Sequence, residues 1–158
     1  MLPAEYVLSY IAVQLLVLVG QAAITLVFIL AVFSVPCEGP AAALVGLTLL
    51  QGTAGMCYGL MLSTLCDNLA SCMQLSIGSF YPNLLLSGIL WPVEGMPAAL
   101  RAVAWYLPCT AACQAMRDVM ARGWGLEAAS VQLGFAASAA WIGVFLGLSV
   151  VIIKIRAS

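Results

Sequence analysis

Apolar residues run in four long stretches, separated by short clusters of helix breakers and polar side chains. The first extends from about Tyr6 to Val35 and stops at Pro36-Cys37-Glu38-Gly39-Pro40. The second covers about Ala41 to Leu65 and ends at Cys66-Asp67-Asn68. The third covers about Leu69 to Trp91, is the most polar of the four, and is closed by Pro92, Glu94, Gly95 and Pro97. The fourth covers about Ala129 to Ile153 and ends at Lys154 and Arg156. Crossing about 30 Å of hydrocarbon takes roughly 20 helical residues, so each stretch is expected to be a membrane-spanning helix.

The one long connection, residues 92–128, is patterned as well. Leu100, Val103, Ala104 and Leu107 recur at helical spacing, which predicts a short amphipathic helix over Pro97–Leu107, stopped by Pro108. Thr110 stands where an N-cap belongs. Beyond it, Ala112, Cys113, Met116, Val119 and Met120 share one face, while Gln114, Arg117, Asp118 and Arg122 share another. Gly123 and Gly125 end this second helix. Trp91, Trp105, Tyr106 and Trp124 fall in the same region, and such rings favour the headgroup zone. The expected architecture is all-α: one membrane domain over 1–158, with about four spans and two short interfacial or re-entrant helices before the last.

Composition agrees. Hydrophobic residues make up 65% of the 158 and charged residues 7%, against about 45–50% and 25% in soluble domains. Too few charges exist to coat a water-soluble fold. A net charge of −1 provides no basic field for nucleic acid. The six cysteines lie mostly in apolar runs, where cysteine behaves as a small hydrophobe, and with no histidine a common zinc site is not expected. The first apolar run is not a secretory signal, because no basic residue precedes it and it far exceeds a signal core.

Small and polar residues mark faces. In the second span Thr48, Gly52, Gly55, Gly59 and Ser63 lie in one sector. The fourth span repeats the device with Ala136, Ala140, Gly143 and Gly147. Lipid gives no hydrophobic drive between helices, so such stripes predict close helix packing. Tyr10, Gln14, Gln21 and Thr25 line one face of the first span. Ser76, Ser79, Asn83 and Ser87 line one face of the third, which also contains Pro82. These groups face protein or a water-filled cavity: either they bond between helices, or, in the third span above all, they line a substrate path. No acidic or basic residue sits mid-span, which argues against a proton relay or voltage sensor. No phosphate-cradling G-x-x-x-x-G-K-[ST] motif occurs, so ATP is not expected to bind here.

Gly78–Pro97 (GSFYPNLLLSGILWPVEGMP) is similar to the fifth membrane helix of ABC type-2 transporters, and Leu107–Trp124 (LPCTAACQAMRDVMARGW) resembles the segment before their last helix. The chain looks most like the H subfamily, close to the G subfamily of half-transporters. The resemblance implies the last four of six membrane helices, with Met1 opening a fragment, a truncated reading frame or a split subunit. It implies a second transporter half, homo- or heterodimeric, and an ABC ATPase domain in cis or trans that carries ATP and Mg, so this chain would itself not be an enzyme. Export of lipids or other hydrophobic compounds across the plasma membrane is the implied function. An inactive fragment or a non-transporting membrane module is the alternative. The position after Ser87-Gly88 matches an apolar plug in the G branch, which makes Ile89 and Leu90 the candidate gate, although Ile stands where that branch has Leu. The resemblance also places 92–128 outside the cell, whereas Arg101, Arg117 and Arg122 would put it inside by charge count. Asp67 is expected either to cap a helix or to contact the ATPase.

Overall fold

The computed structural model describes residues 3–90 and 92–157, with side-chain surroundings for 12–90 and 92–155. Trp91, the Tyr10 side chain and Met1 therefore lie outside the described residues. Among those described, the fold is all helical. Its helices are α1 (Pro3–Val27), α2 (Ala41–Leu65), α3 (Leu69–Leu86), α4 (Ala98–Ala104), α5 (Thr110–Arg122) and α6 (Ala129–Ala157).

Three helical stretches are long and apolar enough to cross a membrane: Ala12–Val32, Ala41–Leu65 and Ala129–Ile155. In the first, α1 widens into a π-helical turn, Phe28–Val32, before the breaker cluster. The third expected span departs from its predicted bounds. α3 has 18 residues, about 27 Å at 1.5 Å per residue, a little less than the hydrocarbon thickness. It ends at Leu86 because Gly88 adopts φ 81°, a left-handed conformation that a helix cannot continue through. Ile89 and Leu90 consequently lie beyond the helix and not on its face.

The centre of the molecule is where α2, α5 and α6 meet. Leu44, Leu47, Ala112, Ala115, Val119 and Val131 form its buried apolar cluster. Small residues set the approach of α5 to α6: a Cβ on Gly134 would collide with the Cβ of Ala115 and lie 3.2 Å from the Ala111 carbonyl. The breaker cluster docks at the same end, with the Glu38 amide donating to the Met120 carbonyl at 3.3 Å. That contact places the α1–α2 turn and the long connection at one end of the bundle.

Within the chain the packing stripes are unevenly occupied. Of Gly52, Gly55, Gly59, Gly143 and Gly147, only Gly52 has a close neighbour, the Leu18 side chain of α1. A Cβ at any of the other four would meet nothing within 4 Å. Periodicity identified the small faces but not which of them meets another helix within the chain.

α5 ends as expected, with Gly123 at φ 69° and Arg122 stacked 5.0 Å from the Trp124 ring. One expectation there fails. Cys109 holds the N-cap position without a side-chain bond, and Thr110, one residue later, bonds through its hydroxyl to the Ala104 carbonyl at 2.5 Å, tying α5 to α4. Asp118, placed on the polar face by its spacing, is 4% exposed and pairs with Arg122 at 3.4 Å. Similarly, Asn68 and not Asp67 stands at the N-cap of α3. Trp105, Tyr106 and Trp124 are exposed, as side chains reaching toward headgroups would be.

Candidate functional site

The chain after α3 is held by side chains from α4 and α5. At the helix end the Ser87 amide donates to the Asn83 carbonyl at 3.0 Å, and the chain then turns through Gly88. Arg117 of α5 donates from Nη2 to the Gly88 carbonyl. Farther along, Arg101 of α4 donates to the Glu94 and Met96 carbonyls at 2.8 and 3.1 Å. Gln114 reaches the Glu94 carboxylate at 3.5 Å. Beneath this loop Val93, Met96 and Ala104 form a small buried cluster. Two of the three arginines in the connection thus bind backbone carbonyls and the third pairs with Asp118, so each cation is engaged at this end of the bundle. Ile89 and Leu90, carried on the braced turn, are exposed.

The polar stripe of α3 divides by role. Ser76 bonds locally to the Cys72 carbonyl at 2.8 Å. Ser79 bonds to the Leu75 carbonyl and accepts the Tyr58 hydroxyl of α2 at 2.5 Å. Asn83 Nδ2 donates to Cys109 Sγ at 3.4 Å. Ser87 is 1% exposed, and its hydroxyl has no partner among the described residues. Ser79 and Asn83 therefore make the bonds between elements that the packing alternative expects. They also border an opening between α2, α3, α6 and the α4–α5 turn.

This cavity has a volume of about 290 Å³. Its polar end is a short network. Gln51 of α2 donates from Nε2 to Cys109 Sγ at 3.2 Å, and its Oε1 lies 3.0 Å from the Ser138 hydroxyl of α6. Its apolar wall is aromatic: Phe145 stacks tilted between Tyr58 at 5.2 Å and Trp141 at 5.1 Å. Gly55 leaves the α2 side open. One turn along α5, burial and the neighbouring Cys109 push the Cys113 thiol up to about 11, with Arg117 acting in the opposite direction. No charged side chain lines the cavity, and among the described residues no cluster of potential metal ligands occurs.

Sequence reasoning had singled out Ser79 and Asn83 but missed Gln51, Tyr58, Cys109 and Trp141. A usable signal existed for Gln51, a carboxamide midway along an apolar helix that must find a partner away from lipid. From the stripe on α1, Gln14 is half-buried while Gln21 and Thr25 are exposed.

The model of the ABC-2 type transporter family matches residues 1–121. The chain is 35% identical over 124 residues to ABC transporter G family member 20 of Dictyostelium discoideum, covering 75% of this chain and 17% of that one. It is 30% identical over 94 residues to G family member 23 of the same organism, covering 60% and 13%. Over 60 residues it is 37% identical to the probable multidrug ABC transporter permease YbhS of Escherichia coli, covering 37% and 15%. The chain thus spans about a sixth of the length of these relatives. No solved structure matches it.

Proposed function

Since the chain belongs to the ABC-2 type transporter family, with an ABC G-like membrane domain, we propose that it forms the membrane part of an ATP-driven exporter. The family match over 1–121 is the observation that carries this reading. The helices add support. α3 buries none of its residues within the chain, and Met73, Ile77, Phe80 and Tyr81 are exposed along it. Such a helix suits a path wall that packs against a second transporter half. ATP and Mg belong on an ATPase domain joined in cis or in trans, and the hydrolysis is that domain's. The connection 92–128 faces outward and both ends of this segment face the cytoplasm, in the plasma membrane.

Ile89 and Leu90 form the outer gate. Two halves would bring these pairs together at a common axis, above the polar stripe, closing the path by side-chain contact and exclusion of water. Apolar walls favour lipids or other hydrophobic compounds, and a relative named as a multidrug permease is compatible with that class.

The test uses a full-length transporter carrying this segment in inside-out vesicles. Ile89→Ala combined with Leu90→Ala should alter ATP-dependent uptake of a lipophilic dye, or its coupling to ATP hydrolysis, while expression persists. Unchanged transport and coupling in a well-expressed double variant would return both residues to ordinary packing.

A further inference from the structure

We propose that Arg117 is a positioning residue for the outer gate, acting on Ile89 and Leu90 through the backbone of Gly88. The inference rests on the reading of those two residues as a gate and adds what sets their position.

Helix geometry does not set it. α3 ends at Leu86, and among the described residues the backbones of Ile89 and Leu90 make no hydrogen bond. Gly88 offers little restraint of its own, because glycine at φ 81° rotates where other residues cannot. One bond from another helix supplies the missing restraint: Arg117 donates to the Gly88 carbonyl. That carbonyl belongs to the peptide unit joining Gly88 to Ile89. The unit is planar, so fixing the direction of its C=O fixes the direction in which the chain enters Ile89.

The anchor is firm. α5 buries Ala111, Ala112, Ala115 and Val119, and Gly134 of α6 lets Ala115 approach closely. One turn before Arg117, Gln114 reaches Glu94, so one face of α5 grips the segment 88–94 at both ends. Arg117 has no competing task. Among the described residues it makes no other hydrogen bond or ion pair, and the carboxylate of the adjacent Asp118 pairs with Arg122. A guanidinium, a rigid fork of donors, is thus committed to the one carbonyl that precedes the gate pair.

Two measurements on a full-length transporter carrying this segment test the role. In the first, trifluoromethylphenylalanine replaces Leu90, and fluorine NMR reads the turn without any substrate. One dominant resonance is expected. Arg117→Met should raise the minor population about tenfold, as loss of a charged hydrogen bond implies, and Arg117→Lys should return part of the way. The same label at Val103, exposed on α4, should not respond. Identical spectra with and without the guanidinium would overturn the proposal, and equal responses at both positions would do so by reducing Arg117 to a general structural role.

In the second, inside-out vesicles are loaded with doxorubicin, once ATP-dependent uptake by the parent has been verified, and its ATP-free loss is followed above that of transporter-free vesicles. Arg117→Met should speed the loss several-fold. Added to Ile89→Ala with Leu90→Ala, it should speed the loss no further than the double variant does, because the arginine acts through those side chains. A loss raised by the double variant and untouched by Arg117→Met would overturn the positioning role and leave the gate standing. A loss untouched by both would remove the gate, and this role with it, even where the NMR shows Arg117 holding the turn.

Discussion

Replacing Arg117 with methionine should loosen the turn after α3. Methionine keeps most of the aliphatic stem but removes the donor to the Gly88 carbonyl. A hydrogen bond from a charged group contributes about 1.5–3 kcal/mol. Arg117 is exposed along part of its length, so the lower end applies, and about 1.4 kcal/mol corresponds to a factor of ten in the opening equilibrium. Ser87 makes a suitable reporter: it is 1% exposed and its hydroxyl has no partner among the described residues, so Ser87→Cys adds a buried thiol without breaking a bond found there. A thiol reagent reaches it when the turn opens. When reclosing outpaces labelling, the rate follows the open population. Peptide mass spectrometry of the chain in nanodiscs should show position 87 modified about tenfold faster in the Arg117→Met background, with Arg117→Lys between the two. Equal rates with and without the guanidinium would mean that Arg117 does not hold the turn.

Glycines on α6 should behave oppositely. Gly134→Ala should lower stability by about 1–3 kcal/mol, because its Cβ would meet Ala115. Gly143→Ala should be neutral or raise it by up to about 1 kcal/mol, since nothing lies within 4 Å; melting in detergent separates the two, and similar shifts would contradict the α5–α6 packing. The Cys113 thiol, raised from 9.0 to about 11, should resist N-ethylmaleimide at pH 8. Because the folded chain holds this proton more tightly than the unfolded chain, its contribution to stability is complete below pH 9 and should be lost between pH 9 and about 11. Rapid modification at pH 8 in the folded chain would refute the burial argument. Cysteines introduced at the exposed positions Glu94 and Glu127 should react with an impermeant reagent applied to intact cells; reaction only after permeabilisation would invert the orientation.

Local chemistry made much of the fold legible before any coordinates. α2 begins after Pro40 and ends at Leu65, as the flanking breakers require, and Gly123 ends α5 by taking the conformation that glycine alone takes easily. Features set by distant partners were harder to foresee. The end of α3 depends on Gly88 and on an arginine 29 residues away. Spacing put Asp118 on one face with Arg122, with which it pairs, but its burial is set by tertiary packing. Gly55 and Gly59 share their periodicity with Gly52, and only the third dimension separates them. The cavity could not be read from the chain because four separate elements enclose it, and an apolar run does not announce which of its aromatics will meet.

Gln51 and Ser138 meet across 87 residues of sequence, and α2 packs on α6 more extensively than on any other helix. During synthesis α2 therefore enters the bilayer long before its main partner exists. Until then the Gln51 Oε1 lacks the Ser138 hydroxyl, although Nε2 can already meet Cys109, which precedes α6 in the chain. The buried centre is accordingly completed late, because α6 supplies Val131 to the cluster and Gly134 to the contact with α5. A ribosome stalled before Ala129 would hold the earlier helices without a closed centre, with the Gln51 oxygen still lacking Ser138.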